Sequence, residues 1–173
     1  VSSLREQLDR LTALVRTLLE MSNLQSVSRT DQIALAPLVE EILTDLTSLA
    51  QKNNISLQQD CAELGMVGSD ALIYRLVFNL VENGIKYNRP GGAVRVTLQQ
   101  EKQTAVLRIT DTGPGIPEDC WDSIFQPFFR VDKSRSREMG GVGLGLALVR
   151  EIAVLHGGSV TVDGIDVRNM PQA

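Results

Sequence analysis

Residues 72–87, LIYRLVFNLVENGIKY, divide into a polar and an apolar side when they are placed on a helix. At about 100° per residue, the polar side chains fall within about a third of the circumference. They are Asn79, Glu82, Asn83 and Lys86. The opposite side is apolar and consists of Ile73, Val77, Leu80, Val81 and Gly84. Two amides, a carboxylate and an ammonium on successive turns can supply oxygen ligands to Mg²⁺ and a charge for phosphate oxygens. A solvated helix surface is the alternative interpretation.

A strand and a glycine-rich turn follow this helix. The turn, Asp111–Pro117 (DTGPGIP), comes directly after the alternating segment Val106–Thr110. A carboxylate at the end of a strand, followed by two glycines, stands beside a backbone that a ligand can approach closely. Such an acceptor suits an exocyclic amino group such as that of adenine. A glycine-proline turn without a ligand is the alternative.

A second glycine-rich segment, Gly140–Leu146 (GGVGLGL), leads into a helix predicted over Leu144–Leu155. Glycines before a helix N-terminus expose amide groups and the positive end of the helix dipole to phosphate. The segment follows no strand and lacks a terminal Lys-Ser/Thr pair. It therefore satisfies neither the dinucleotide-binding fingerprint nor the P-loop.

The region between the two glycine-rich segments is apolar first and basic afterwards. Residues 124–132 read IFQPFFRVD, and Lys133, Arg135 and Arg137 follow. The apolar part can dock on the domain while the basic part covers bound phosphates, as a lid does. An ordinary solvated loop is the alternative.

The N-terminal segment predicts a helix with a narrow apolar seam. The seam consists of Leu4, Leu8, Leu11, Val15 and Leu18, at spacings of four and three. This pattern is typical of a helical hairpin or a coiled coil, so a partner helix is implied. An amphipathic helix packed on its own domain is the alternative. The polar stretch Ser22–Gln32 predicts a boundary.

The remaining segments predict interspersed helices and strands. Helices are predicted from Pro37 to about Lys52 and over Ala71–Tyr87, the latter capped by Ser69 or Asp70. Strands are predicted over Ile55–Gln59, Ala93–Gln99, Thr104–Thr110 and Ser159–Val162, with a hairpin between the middle two. The expected fold class is α+β, with a helix layer packed on one face of a mixed sheet.

Composition excludes several classes of protein. The 173 residues carry a net charge of −4, which argues against a dedicated nucleic-acid or anionic-membrane surface. No apolar run approaches the roughly 20 residues of a membrane span. The two cysteines, Cys61 and Cys120, lack metal-site spacing, and a reduced cytosolic pair is expected.

Taken in their order along the chain, the four chemically distinctive stretches resemble the N, G1, F and G2 boxes of sensor histidine kinases. These kinases share an ATPase superfamily with gyrase, the heat-shock chaperone ATPases and the mismatch-repair ATPases. The resemblance covers about residues 35–162, and residues 4–24 resemble the second helix of the kinase dimerisation hairpin. It implies a two-layer α/β sandwich of the Bergerat type, preceded by one hairpin helix. The implied domains are residues 1–29, part of the hairpin, and residues 30–173, the catalytic ATP-binding domain.

The resemblance also implies roles for the first two boxes. Asn83 would coordinate Mg²⁺, with Asn79 near the phosphates or the metal. Lys86 would meet phosphate and Tyr87 would lie along the nucleotide. Glu82 stands at the acidic position that helps to orient metal-bound water or the reacting groups. Asp111 would accept a hydrogen bond from the adenine amino group, and the wall beside it would be formed by Gly113, Gly115 and Ile116.

For the last two boxes, the resemblance implies a lid and a phosphate-binding turn. Phe128 and Phe129 would anchor the lid, with Arg130 and Lys133 near the phosphates. The turn at the triphosphate would be formed by Gly141, Val142, Gly143, Leu144 and Gly145. ATP and Mg²⁺ are thus the implied cofactors.

The sequence departs from the family pattern at several positions. Gly84 replaces the usual alanine, at a cost in helix propensity of about 1 kcal/mol. Val142 replaces the usual threonine, which removes a hydroxyl but no backbone amide. The tail Gly164–Ala173 does not resemble the closing strand of the family.

The only histidine, His156, lies in LHGGSV, a structural position of the family at the end of the G2 helix. The phosphate-accepting histidine is therefore expected upstream of Val1, and the chain is expected to begin inside the hairpin.

The resemblance implies a protein-histidine kinase that relays phosphate to a response-regulator aspartate. It also implies a homodimer through the hairpin and a cytoplasmic location within a membrane-anchored sensor. Two alternatives stay open at this point. One is a serine/threonine kinase of the anti-sigma type, and the other is a non-catalytic regulator-docking module.

Overall fold

A computed structural model of the chain describes residues 2–126 and 145–162. Its helices are α1 Ser2–Asn23, α2 Leu35–Asp45, α3 Thr47–Lys52, α4 Asp70–Lys86 and α5 Gly145–Leu155. Its strands are β1 Asp31–Ala34, β2 Ser56–Cys61, β3 Gly65–Gly68, β4 Ala93–Glu101 and β5 Thr104–Asp111. Short 3₁₀ turns cover Leu24–Ser26 and Glu118–Cys120.

The main sheet is mixed, with the strand order β2–β4–β5. Strand β2 runs parallel to β4, and β5 returns antiparallel to β4. The predicted hairpin is confirmed, and its register places Val94 opposite Asp111. Strands β1 and β3 form a separate antiparallel pair.

The core lies between the sheet and the helices. Helix α4 packs on β4 and β5 and also contacts α2 and α5. Its buried face consists of Ile73, Leu76, Val77, Leu80, Val81, Gly84 and Ile85. The core side of β4 is fully buried at Val94 and Val96. The predicted α+β class, with helices packed on a mixed sheet, is confirmed.

Helix α1 is attached at its C-terminal end and exposed along its seam. Leu24 is buried in the core, and Arg75 of α4 forms an ion pair with Glu20 at 3.1 Å. By contrast, the predicted seam residues are 43–64% exposed: Leu4, Leu8, Leu11, Val15 and Leu18. Within the described residues, no helix has the length and apolar character that a membrane crossing requires.

The structure corrects three expectations. The helix predicted from Pro37 to Lys52 is interrupted at Leu46, whose backbone leaves helical geometry (ψ 1°) while its side chain stays buried. Strand β1 lies partly inside the stretch predicted to be a boundary, and β3 was not predicted. In place of the predicted strand Ser159–Val162, the described residues show a single bridge residue, Thr161.

Two further expectations concern the cysteines and the C-terminal tail. Cys61 and Cys120 are free thiols. The tail Gly164–Ala173 lies outside the described residues.

Candidate nucleotide-binding site

Helix α4 presents the predicted polar face along one side. The helix begins at a serine cap, where the Ser69 hydroxyl accepts from the Leu72 N–H at 3.3 Å. Further along, Glu82 and Lys86 lie on adjacent turns, with Nζ 3.5 Å from Oε1. Their side chains are 29% and 30% exposed, so this pair is partly shielded but open to a ligand.

Asn79 and Asn83 lie on the same face and are half-buried. Neither side chain makes a hydrogen bond within residues 2–126 and 145–162. A half-buried amide without a protein partner is available to a ligand or a metal ion. The two asparagines therefore have free oxygen acceptors where the sequence predicted them.

Asp111 lies at the end of β5, next to α4. A Cβ built on Gly84 would be 3.7 Å from the Cβ of Asp111, so the carboxylate stands beside the helix. Desolvation raises the pKa of Asp111 above its usual range, and the N–H of Gly113, donating to Oδ1 at 2.8 Å, opposes the shift. The remaining acceptor capacity suits a ligand N–H.

The departure at Gly84 has a structural reason. A Cβ at this position would lie 3.1 and 3.3 Å from the two methyl groups of Val94, which is buried in β4. Glycine thus lets α4 approach the sheet closely.

The loop after Asp111 approaches the end of α4 closely. A Cβ on Gly113 would lie 2.8 Å from the Tyr87 carbonyl oxygen, so only glycine fits without a shift. Gly115 has φ 77°, a conformation that side chains disfavour. The Ile116 carbonyl accepts from the indole N–H of Trp121 at 2.9 Å, which holds the outer part of the loop. Tyr87 and the predicted wall are therefore adjacent.

Sequence reasoning missed two residues that join these elements. In the sequence, Asn88 merely follows the predicted helix end at Tyr87, and Thr112 lies within the predicted turn. In the structure, their side chains hydrogen-bond each other at 3.0 Å, between the end of α4 and the start of the loop. A single sequence carries no pairing signal for residues 24 positions apart.

His156 has a structural role, as predicted. Its Nε2 accepts from the Ser69 N–H at 3.0 Å, and its Nδ1 lies 2.8 Å from the Ile152 carbonyl oxygen. The Nδ1–H tautomer satisfies both contacts, since a carbonyl only accepts. Both ring nitrogens are therefore engaged in joining the end of α5 to the start of α4.

Much of the predicted site lies outside the described residues. These positions are Phe128, Phe129, Arg130, Lys133, Gly141, Val142, Gly143 and Leu144. Gly145 is described and begins α5, with open space where a Cβ would stand. In the described part of the chain, no three His, Cys, Asp or Glu side chains are grouped to hold a metal. A metal bound at Asn79 and Asn83 would need further ligands from phosphate and water.

Two surface grooves share no residue with this site. One, of about 850 Å³, lies between β1, α2 and the end of β2 and includes Glu40 and Cys61. The other, of about 450 Å³, lies between α1 and α4 and includes Leu19 and Leu72. Neither places catalytic side chains together.

Comparisons with known proteins agree with the geometry. Residues 68–171 match the family described as histidine kinase-, DNA gyrase B- and HSP90-like ATPase. Sensor histidine kinase RppB of Synechocystis sp. is 38% identical over 159 residues, which cover 89% of this chain and 35% of that protein. The chain thus spans about a third of the length of this curated relative.

Solved structures show the same fold. The mycobacterial sensor histidine kinase MprB has a TM-score of 0.70 and 28% identity, covering 83% of this chain and 92% of that chain. Histidine kinase ThkA, in complex with the response regulator protein TrrA, has a TM-score of 0.76 and 24% identity, covering 96% of this chain and 46% of that chain. At that identity, the second likeness concerns the fold alone. The chain belongs to the histidine kinase-, DNA gyrase B- and HSP90-like ATPase family and carries the ATP-binding catalytic domain found in sensor histidine kinases.

Proposed function

We propose that this chain binds ATP·Mg²⁺ and positions the γ-phosphoryl group for transfer to a histidine that lies outside these 173 residues. The observation that carries the proposal is that Asp111, at the end of β5, stands beside Gly84 of α4, the helix whose other side carries the polar residues of the proposed phosphate site. An adenine-binding acceptor and a phosphate-binding face thereby lie on adjoining elements. ATP spans such a site with its base at one end and its phosphates at the other.

Asp111 recognises the base in this proposal. Its partly desolvated carboxylate accepts from Gly113 and has capacity for the adenine amino group. Gly113, Gly115 and Ile116 form the wall beside the base, and Tyr87 lies along the nucleotide. Buried hydrogen bonds to a charged acceptor contribute about 1.5–3 kcal/mol each, so this contact is a major part of the affinity.

The polar face of α4 receives the phosphates. Lys86 turns its ammonium group from Glu82 to a phosphate oxygen, and Glu82 orients the reacting groups. Asn83, with Asn79 beside it, offers amide oxygens to Mg²⁺. An ion held there would supply charge neutralisation at the phosphates.

The segments outside the described residues complete the site in the same proposal. From the family resemblance, we assign Phe128, Arg130 and Lys133 to the part of the site that contacts the phosphates. The glycine turn Gly141–Gly145 offers backbone amides to the triphosphate. These contributions act by positioning and charge neutralisation, which dominate catalysis of phosphoryl transfer.

The acceptor is a second histidine, because both nitrogens of His156 are engaged. In the transfer, an imidazole nitrogen of the acceptor bonds to the γ-phosphorus, the bond from that phosphorus to the β-phosphate oxygen breaks, and ADP leaves. The imidazole proton is given up to solvent. The phosphohistidine then supplies an aspartate of a response regulator, and α1 pairs with a hairpin helix in a homodimer of a membrane-anchored sensor. Likeness to sensor histidine kinases supports these further steps.

Calorimetry with ATP, with and without Mg²⁺, tests the binding step. We expect binding that Mg²⁺ strengthens, and we expect Asn83→Ala to abolish most of the Mg²⁺ dependence while retaining adenine recognition. Glu40→Gln, which lies in the separate groove beside α2, is the matched surface variant and should bind as the wild type does. No binding at millimolar ATP would refute the proposal.

A trans-phosphorylation assay tests the kinase step. The chain is mixed with a histidine-bearing hairpin helix and labelled ATP, and acid-labile phosphohistidine is measured. Phosphoserine or phosphothreonine would identify an anti-sigma-type kinase. Absence of transfer by a chain that binds ATP and the helix would indicate a non-catalytic docking module.

A further inference from the structure

Asn88 is a buried polar residue that directly follows the C-cap of α4. It is only 6% exposed, and both polar atoms of its side chain hydrogen-bond to the protein. Its Nδ2 donates to the Ala93 carbonyl at 3.0 Å, and its Oδ1 accepts from the Arg89 N–H at 2.8 Å. The residue thus ties the end of the helix to the start of β4.

Thr112 completes this link from the other side. Its Oγ1 accepts from the Ala93 N–H at 2.9 Å and donates to Oδ1 of Asn88 at 3.0 Å. A Cβ on Gly92 would lie 2.4 Å from both of these side-chain oxygens, so the glycine is required by the contact. We name this pair the Asn88–Thr112 clasp.

The clasp lies between the two halves of the nucleotide site. Asn88 follows Tyr87 at the end of α4, and Thr112 follows Asp111 at the end of β5. Both side chains already hydrogen-bond to the protein, and to each other. Their contact thus joins the residue after Asp111 to the residue after Tyr87.

We propose that Asn88 and Thr112 are positioning residues for adenine recognition, acting through the Asp111 carboxylate; this inference rests on the proposed function. A purely structural clasp would lower the affinity for every nucleotide equally. A positioning clasp lowers mainly the affinity that depends on the adenine amino group. These two roles therefore differ in their effect on ligand discrimination.

The test compares ATP with purine riboside triphosphate, which lacks the 6-amino group. Affinities are measured by calorimetry for the wild-type chain, Thr112→Val, Thr112→Ser and Asn88→Ala. Valine is isosteric with threonine but cannot take part in the clasp, whereas serine retains the hydroxyl. Val96→Ala is the matched control, because it removes buried core volume from β4 outside the clasp. All titrations are made below the onset of thermal unfolding of each variant.

The ATP preference is the ratio of the affinity for ATP to the affinity for purine riboside triphosphate. We expect Thr112→Val and Asn88→Ala to reduce this ratio by about fivefold or more, a loss of about 1 kcal/mol. Thr112→Ser should restore most of the preference, and Val96→Ala should leave it unchanged. An unchanged preference in both clasp variants would overturn the inference, and so would an equal reduction in Val96→Ala.

The same data separate failure of the inference from failure of the proposed function. A wild-type chain that binds neither triphosphate refutes the nucleotide site itself. A wild-type chain that binds both equally refutes the role of Asp111, and with it the inference. If one clasp variant does not fold, the other still gives the comparison with the control.

Discussion

Burial of the Asp111 carboxyl group disfavours its charged form relative to the unfolded chain. Desolvation raises its pKa, and the hydrogen bond from Gly113 offsets part of the penalty. Because the pKa in the folded state is raised, the folded protein binds this proton more readily than the unfolded chain does. Burial of Asp111 therefore lowers the free energy of unfolding at pH values above the folded-state pKa. This loss of stability is relieved as the pH falls through the folded-state pKa towards the ordinary aspartate pKa, near 3.9.

Asp111→Asn is expected to weaken ATP binding without lowering the free energy of unfolding. The amide keeps an oxygen for Gly113 but loses the charge, so ATP affinity should fall by about tenfold or more. The free energy of unfolding at pH 7 should not fall, because the desolvation penalty is removed. Calorimetry and urea denaturation give the two quantities. The stability difference from wild type should shrink with decreasing pH, and an unchanged ATP affinity would contradict the adenine assignment.

Gly84 and Val94 are expected to be energetically coupled. Glycine in a helix costs about 1 kcal/mol relative to alanine, yet an added Cβ meets the stiff, buried Val94 at 3.1 Å. Gly84→Ala should therefore fail to stabilise the wild-type chain and should stabilise the Val94→Ala variant by up to about 1 kcal/mol. Urea denaturation of the four proteins in this double-mutant cycle measures the coupling. Additive effects would contradict it.

At the scale of elements, α4 and α5 are joined at His156. The Ser69 N–H at the N-terminus of α4 donates to the imidazole, whose other nitrogen returns to the carbonyl of Ile152 in α5. This join connects the start of α4 to the end of α5, whereas the proposed phosphate contacts lie toward the other ends of these two helices. It leaves neither ring nitrogen free for chemistry.

His156→Ala is expected to lower the free energy of unfolding by about 1–3 kcal/mol, because the Ser69 N–H loses its partner. ATP affinity and phosphoryl transfer to a supplied histidine helix should change less than about twofold. Val154→Ala, on an exposed position of the same helix, is the control and should be nearly neutral. Loss of phosphoryl transfer without loss of stability would give His156 a chemical role.

Periodicity in the sequence predicted the elements that bury one regular face. Helix α4 and the β4–β5 hairpin were predicted within one or two residues, because Val77, Val81, Val94 and Val96 follow the helix and strand repeats. Strands β1 and β3 were missed, since each has four residues and pairs only with the other. The break at Leu46 was missed because a buried leucine continues the helical pattern through a non-helical residue.

The residue types of the candidate site could be read from the sequence, but the tertiary hydrogen bonds around them could not. Asp111 and Asn83 were selected as candidates because a carboxylate before glycines and amides on one helix face indicate ligand contacts. The clasp and the indole bond of Trp121 to Ile116 depend on tertiary contacts that no local pattern specifies. The roles of the individual site residues stay predictions.

At the scale of the whole molecule, the apolar seam of α1 is exposed and is not packed against the other described residues. Its leucines are apolar and regularly spaced, while Leu24 and the Arg75–Glu20 pair anchor only the end of the helix. We propose that residues 1–29 form a separate hairpin unit from residues 30–173. In that hairpin, the seam packs against a partner helix.

Replacing Leu8 and Leu11 by serine is expected to change the free energy of unfolding of this chain by less than about 1 kcal/mol, because both are more than half exposed. ATP affinity should be unchanged. Association with a histidine-bearing hairpin helix, measured by sedimentation, should be lost. Leu24→Ala is the contrasting variant and should cost about 2–5 kcal/mol. A large loss of stability in the double serine variant would show that the seam is buried.

Trp121 is the only tryptophan of the chain, and its indole N–H is held by the carbonyl of Ile116 in the proposed adenine wall. All indole fluorescence therefore originates beside the nucleotide site. Occupation of that wall should alter the emission of one defined fluorophore, without any attached dye. The protein thus carries an intrinsic optical probe, with which stopped-flow measurements can follow nucleotide arrival and release in real time.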